Sequence, residues 1–372
     1  MDFSLLRRDP DPDGPDLSAS DAADRLILDE AAGFLADATA NSVTVFDDAY
    51  GALAIGAAVS GATGVRSHQD LVTSERASSR NADRFNVEII QLPFDASAVS
   101  GARVVLLRLP RSLERLAEVA ALIAANADPE VVVVAGGRIK HMSVAMNDVL
   151  GQFFDRVDIS HARQKSRVLF ARGPRPAIAV EQLGTWPKLE RHDDLGVTIA
   201  AHGGVFAGNR VDVGTRFLLS TLDAARPDAT TAVDLACGSG LVAASLALAR
   251  DNITVLATDR SAAAAASARA TAAANGVADR IHVEQADGLE SVADGSQELI
   301  ALNPPFHSDA AVSTGIARHL FADAARALAS GGELWCVWNS HLRYRPTLEK
   351  VVGPTRQIAR NTKFTVTASR KP

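Results

Sequence analysis

The run Val233-Asp234-Leu235-Ala236-Cys237-Gly238-Ser239-Gly240 constrains this chain more than any other. It passes from a short apolar strand into a glycine loop and then directly into a helix-forming run, Leu241–Arg250. Glycines there permit a tight turn and let a ligand approach the backbone. The same rhythm continues downstream. Strand Ile253–Thr258, an Ala-rich helix near Ala262–Asn275, strands Ile281–Gln285 and Leu299–Leu302, a helix around Ile316–Ala329, the turn Ser330-Gly331-Gly332 and strand Glu333–Trp338 follow in order. Strands alternating with helices of this length predict a parallel sheet covered on both faces. Thr355–Ala359 and Lys363–Ala368 read as a closing antiparallel pair.

A weaker copy of this order precedes it. Strands Val43–Phe46 and Val104–Leu109, helix Leu113–Ala125, strand Val131–Ala135, a helix around Met142–Phe154 and strands near Arg156–Ile159 and Arg167–Ala171 occupy the first half. Leu107-Arg108-Leu109-Pro110-Arg111 sits where the later half has Ala301-Leu302-Asn303-Pro304-Pro305, and Gln164–Ala171 parallels Asn361–Ala368. The fold class expected is therefore α/β, two tandem Rossmann-like domains, the first degenerate. The boundaries expected are a disordered acidic leader over 1–22, the degenerate domain over 23–175, a Pro/Gly-containing linker over 176–195 and the intact domain over 196–372.

Charge enters because the total misleads. The chain carries 38 Lys and Arg against 44 Asp and Glu, a net −6 that argues against a nucleic-acid partner. Residues 1–30 hold nine acids and three bases, which is the whole of that excess. From His161 to Arg175 there are five basic residues and no acid, and from His341 to Pro372 eight basic residues and one acid. Clusters of this kind suit a phosphate backbone; the plainer alternative is a solvated basic face on two β-hairpins. Two cysteines make no disulfide framework, no Cys/His spacing suggests a metal, and no apolar run reaches the length of a membrane span, so a reducing, cytoplasmic setting is expected. The oligomeric state is left open, with a monomer as the default.

Two motifs carry the chemistry. The glycine loop alone is weak evidence, but Asp259 ends the next strand, where a carboxylate can accept from both hydroxyls of a ribose. Asp287, in Ala286-Asp287-Gly288, ends the third strand within reach of an adenine amino group. Ala244 stands where a dinucleotide loop has its third glycine, which favours a nucleoside without phosphates. Asp234 has a plainer role open to it, capping its own loop. The second motif, Asn303-Pro304-Pro305-Phe306, ends the fourth strand at the crevice outside the carboxyl ends of the sheet. Its prolines remove two donors and stiffen the turn. The Asn303 side-chain oxygen and the Pro304 carbonyl remain as acceptors for the two hydrogens of an –NH₂ group, and Phe306 offers a face for a planar base. Holding both hydrogens turns the amine lone pair out of conjugation and towards an electrophilic methyl group, a catalysis by positioning that needs no base of shifted pKa.

The order DLACGSG, Asp259, Ala286-Asp287-Gly288 and NPPF resembles class I S-adenosylmethionine-dependent methyltransferases acting on planar amino groups. More narrowly the chain is similar to the ribosomal RNA guanine-N2 methyltransferases of the small and large subunits. That match rests on Gly204-Val205-Phe206 with Val211-Asp212-Val213-Gly214-Thr215-Arg216-Phe217, on Asn303 to His307, and on Asn339-Ser340-His341-Leu342-Arg343-Tyr344 continuing to Asn361-Thr362-Lys363-Phe364, the last nearer the large-subunit enzyme. The resemblance implies S-adenosyl-L-methionine as cofactor and ribosomal RNA, or a ribosomal subunit, as partner. It maps Asp234, Cys237, Gly238 and Gly240 to the methionine part, Asp259 to the ribose and Asp287 with Gly288 to the adenine, and it places Ala236 and Arg260 in the cofactor site as well. Asn303, Pro304 and Phe306 map to the target base, and Phe206, Arg216, His307, His341, Arg343 and Lys363 to RNA around it. No metal is implied. The first half has Phe46-Asp47-Asp48-Ala49-Tyr50-Gly51 for the glycine loop and Leu109-Pro110-Arg111 for NPPF, so its role falls to RNA binding or support. Two other readings stay open: the same chemistry on adenine or cytosine in DNA or on a protein glutamine, and a non-catalytic RNA-binding assembly protein with a vestigial cofactor pocket.

Overall fold

The computed structural model describes residues 1–11, 17–305 and 310–372, the last without the side chains of residues 310–314. The chain divides into two compact units, Met1–Trp186 and Pro187–Pro372.

In the first unit the strands are β1 (Val43–Phe46), β2 (Val65–His68), β3 (Ile89–Gln91), β4 (Val104–Arg108), β5 (Val132–Arg138), β6 (Phe154–Ile159) and β7 (Ser166–Pro174). The second unit opens on a separate hairpin, β8 (Lys188–His192) with β9 (Val197–Ala201). Its sheet is built from β10 (Thr231–Leu235), β11 (Thr254–Asp259), β12 (Ile281–Gln285), β13 (Gln297–Leu302), β14 (Leu328–Asn339), β15 (Thr355–Arg360) and β16 (Phe364–Arg370). The sheet orders are β3-β2-β1-β4-β5-β7-β6 and β12-β11-β10-β13-β14-β16-β15, the same path twice. In each sheet the first five strands pair in parallel and the last pair closes antiparallel, as the repeat predicts.

The central strands are apolar because both faces are covered. In β10, Val233 and Leu235 face Leu320 and Phe321, while Ala232 faces Val242 and Leu246 on the other side. Alternation therefore puts the Asp234 side chain on the Ala232 face, under the helix Leu241–Ala249. Strand order reverses between β10 and β13, which opens a crevice at their carboxyl ends. Trp335 and Trp338 are core residues, as expected.

Two expected boundaries are corrected. The described part of the leader is not disordered. Leu6 is buried against Ala52, Ile55 and Ala82, the Arg7 N–H donates to Asn81 at 3.0 Å, and Tyr50 donates to Asp11 at 2.9 Å. Apolar burial at Leu6 and exchange of backbone hydrogen bonds with Asn81 outweigh the acidic, Pro-rich composition. Nor is 176–195 a linker. Helix Pro176–Leu183 buries Ala179 in the core of the first unit, and β8 already belongs to the second, so the division falls at Trp186 and Pro187.

Candidate active site

The glycine loop leaves β10 through three left-handed residues, Ala236 (φ 59°), Gly238 (φ 55°) and Gly240 (φ 75°). The glycines differ in purpose. A Cβ on Gly240 would lie 2.7 Å from Ala268 Cβ, so helix packing demands that glycine. A Cβ on Gly238 would meet nothing within 4 Å, and the open space above it is room for a ligand. The Gly238 N–H donates to Asp259 Oδ2 at 2.9 Å, while Asp259 Oδ1 accepts from the Ser261 N–H at 2.9 Å. Both oxygens are thereby aimed by backbone donors at the end of β11.

Asp234 takes the plainer of its two roles. It is buried and accepts from the Ala243 N–H at 2.9 Å at the start of the next helix. Burial pushes its carboxyl up to about 8, against the lowering effect of that hydrogen bond. The Cys237 thiol is driven well above its ordinary range, first by burial and then by the nearby Asp259 and Asp234, which fits a small loop residue and not a nucleophile. Arg260 is half-buried and its carbonyl accepts from Gln285 at 3.2 Å.

At the third strand, Gly288 is buried beside Asp323 and His319, from the helix Ala310–Ala327. His319 Nε2 lies 3.7 Å from Asp287 and 3.9 Å from Asp323. The bond to Asp287 raises its pKa above the ordinary imidazole value, against partial burial. Sequence reasoning missed both His319 and Asp323; their spacing of four on one helix face was the available signal.

Asn303 carries the site. Its Nδ2 donates to Thr215 Oγ1 at 2.9 Å and to Asp212 Oδ2 at 3.2 Å. A carboxylate only accepts, so the contact with Asp212 fixes which end of the amide is nitrogen. The other end, Oδ1, is buried and has no hydrogen-bond partner among the described residues. Asp212 is itself held as the N-cap of helix Val213–Leu219, accepting from the Thr215 N–H at 3.0 Å. Pro304 is buried beside Asn303; Phe306 and His307 lie outside the described residues.

The expected RNA contacts are exposed. Phe206 is 49% exposed on the segment that leads to Asp212, and His341, Arg343 and Lys363 lie on loops at the end of β14 and between β15 and β16. Arg216 is exposed and paired with Asp194. Among the described residues no acidic, His or Cys group is arranged to hold a metal, and no helix is long and apolar enough to cross a membrane.

The first unit repeats the loop without the room. Asp47 (φ 56°), Ala49 (φ 47°) and Gly51 (φ 84°) reproduce the three left-handed positions. Gln69 stands in for Asp259, accepting from the Ala49 N–H at 3.1 Å. Gln69 offers one carbonyl oxygen where Asp259 has two, and the Ala49 methyl replaces the open face of Gly238. Arg115, buried, pairs with Asp47 at 3.1 Å and stacks 4.3 Å above Phe94, which packs on His68 and Phe46. Side chains fill the crevice.

The methyltransferase small domain family matches residues 196–368, and the RLMG N-terminal domain family matches residues 2–175. The chain is 34% identical over 378 residues to a protein of Streptomyces coelicolor named ribosomal RNA large subunit methyltransferase G, covering 97% of this chain and 96% of that one. A Pseudomonas paraeruginosa protein of the same name is 34% identical over 367 residues, with the same coverage. The fold is also that of the T. thermophilus 16S rRNA N2 methyltransferase (RsmC), solved in complex with AdoMet and guanosine, at a TM-score of 0.70, 19% identity and 92% coverage of both chains. Likeness along the whole length of both partners makes the chain a member of the ribosomal RNA large subunit methyltransferase G family.

Proposed function

We propose that the protein transfers a methyl group from S-adenosylmethionine to the exocyclic 2-amino group of a guanine in large-subunit ribosomal RNA. The observation that carries this is the buried, unpartnered Oδ1 of Asn303, with its amide held from behind by Asp212 and Thr215. A buried acceptor without a donor costs roughly 1–3 kcal/mol. A substrate N–H repays that cost, and a second acceptor, the Pro304 carbonyl, follows in the chain. Two acceptors at one point select a group with two hydrogens, and so an amine over a hydroxyl or ring nitrogen.

The residues present fit the cofactor. Asp259, a carboxylate aimed by the Gly238 and Ser261 N–H groups at the end of its strand, would hold the ribose hydroxyls, the open face of Gly238 would receive the methionine part, and Asp287 with Gly288 would border the adenine. When bound, S-adenosylmethionine supplies an electrophilic methyl group. Asn303 restrains the amine hydrogens and turns the nitrogen lone pair out of the ring system; the geometry does the work that a general base does elsewhere. A ribosomal RNA substrate would put the enzyme in the cytoplasm, with RNA or a ribosomal subunit as its partner. The names of the full-length relatives weigh against DNA or protein amines, and the intact Asp259, Asp287 and Asn303 in one unit weigh against a vestigial pocket.

Mass-spectrometric mapping of both large ribosomal RNAs with and without the gene tests the reading. One N2-methylguanine of the large-subunit RNA should disappear on deletion; identical maps would sink the proposal. In the purified enzyme, Asn303→Ala should lower turnover by about 10²-fold or more while cofactor affinity stays nearly unchanged. Asp259→Ala should instead weaken cofactor binding.

A further inference from the structure

The helix Ala310–Ala327 turns His319 and Asp323, one turn apart, towards the loop that follows β12. The loop lies directly on them. A Cβ on Gly288 would stand 2.3 Å from Asp323 Oδ2 and 3.3 Å from His319 Nε2, so there is no room for a side chain between loop and helix. The Leu289 N–H donates to Asp323 Oδ2 at 2.8 Å, and Asp323 Oδ1 faces Arg326 Nε at 3.7 Å. On the other side of Gly288, the Asp287 N–H donates to Glu290 at 3.1 Å. The backbone of the loop is thus tied down at both ends.

His319 acts on the Asp287 side chain. Its Nε2 lies between two carboxylates, 3.7 Å from Asp287 Oδ1 and 3.9 Å from Asp323 Oδ2. Two carboxylates this close repel each other unless a cation stands between them. An imidazolium meets that need and a neutral imidazole does not. The contact with Asp287 favours the charged ring; partial burial and the like charge of Arg260, at the end of β11, oppose it. The charged groups facing His319 are therefore Asp287 from the loop, Asp323 from its own helix and Arg260 from β11, with Arg326 behind Asp323. The His319 side chain is 48% exposed, so it exchanges its proton with water while the fold stays closed.

A carboxylate only accepts hydrogen bonds. Ionised and correctly turned, Asp287 selects the purine edge that carries an amino group. We propose that His319 is a positioning residue of the cofactor site: its imidazolium, held between Asp287 and Asp323, keeps the Asp287 carboxylate aimed at the amino group of adenine. The inference rests on the reading of Asp287 as the adenine end of the site. Loss of the His319 proton restores the repulsion between the two carboxylates, and Asp287 turns towards water. Recognition of the amino group is then complete while His319 is charged and weakens as pH rises through its titration. The Asp234 carboxyl, raised to about 8, changes charge in the same range, but it lies under the glycine loop at the methionine part and bears alike on any purine.

The test is calorimetric titration of the full chain with S-adenosylhomocysteine and with the analogue whose purine carries hydrogen in place of the amino group. The ratio of the two affinities cancels whatever acts on both ligands. In the wild type that preference for the amino group should shrink about tenfold from about pH 6 to about pH 9, the worth of one charge-assisted hydrogen bond. His319→Gln keeps a donor but does not titrate. Its preference should be lower than that of the wild type at low pH and should not change with pH, at an unchanged melting temperature. His282→Gln removes an exposed imidazole paired with Glu284 at 3.1 Å on β12 and should keep the wild-type profile. A wild-type preference that is flat in pH would overturn the inference, with no variant needed. So would a His319→Gln protein that weakens both ligands equally, which is what a merely structural role predicts, or one that keeps the wild-type profile. An Asp287→Ala protein that binds S-adenosylhomocysteine as tightly as its parent would instead overturn the underlying reading.

Discussion

Under the proposed function, Asn303 divides its work between two ends, one bonded to the protein and one kept for the substrate, and that division depends on residues 88 and 91 positions earlier in the chain. Asp212 and Thr215 are positioning residues in this sense. Asp212→Asn still caps its helix but can donate as well as accept, so the Asn303 amide can turn its nitrogen towards the substrate. Turnover should fall about tenfold to a hundredfold with KM for RNA and cofactor affinity little changed. Thr215→Val should act in the same direction, and Thr215→Ser, which restores the hydroxyl, should recover most of the rate. Equal rates for the Val and Ser variants would show that Thr215 only packs. A different residue governs pH response. Asp48 is buried in the degenerate loop, accepts from the Leu53 and Ala54 N–H groups, and burial raises its carboxyl to about 8 from a model-peptide value of 3.8. The native state then binds more protons than the unfolded chain between those values. The stability this group contributes is complete below the lower value and is lost as pH rises through the upper. Thermal unfolding of Asp48→Asn against wild type should therefore shift in favour of the variant from about pH 5 to about pH 8; a constant difference would mean the carboxyl is not held protonated.

At the scale of elements, the Ala-rich helix Ala262–Ala274 looks featureless in sequence, yet three polar residues four apart give it a function. Ser267 accepts from the His202 N–H at 2.9 Å, Thr271 accepts from the Ala200 N–H at 3.0 Å and donates to its carbonyl at 3.2 Å, and Asn275 does the same for Thr198. One helix face thus completes the open edge of β9, and β9 leads into the segment bearing Phe206 and Asp212. Thr271→Val keeps the shape and removes both bonds, leaving two buried backbone groups unpaired at a cost of about 1–3 kcal/mol. A lower melting temperature and faster amide exchange over 198–202 are expected; unchanged exchange would show that the helix does not hold the strand. The same comparison explains what was legible. Strands β10, β11 and β13 were readable because burial on both faces demands continuous apolar runs. Strand β2 was missed because Arg66 and His68 are buried there as polar residues. Arg66 donates to the Ser97 and Ser100 carbonyls and His68 bonds the Leu92 carbonyl, partners that no local pattern reveals. Asp259 and Asn303 stand at strand ends, where the sequence puts them; Thr215 lies in a recognised motif, but its bond to Asn303 is a tertiary fact.

At the scale of the whole molecule, the net charge of −6 and the proposed RNA substrate are reconciled by where the acids are spent. The N-terminal acids are structural. Asp9 pairs with Arg80, Asp11 accepts from Tyr50, Asp21 and Asp24 pair with Arg108, and Asp29 with Arg163. They neutralise arginines of their own unit and leave Arg111, Arg138, Lys140, Lys165 and Arg167, at the carboxyl edge of its sheet, with no carboxylate partner among the described residues. Duplication supplies the turn and hairpin of that basic edge twice, once beside Asn303 and once beside the degenerate loop. An acidic leader that masked the RNA surface would compete with phosphate, and its removal would raise affinity at low salt. A leader that is part of the fold predicts otherwise. Deleting residues 1–16 takes away Leu6, whose burial alone is worth about 2–4 kcal/mol, together with the bonds to Asn81 and Tyr50. The first unit should melt roughly 4–12 °C lower. The slope of RNA affinity against salt should not move, because it counts phosphates neutralised by contacting cations and not the net charge of the chain. A steeper slope or a marked gain in affinity at low salt, with an unchanged melting temperature, would mean that the leader lies over the basic edge after all.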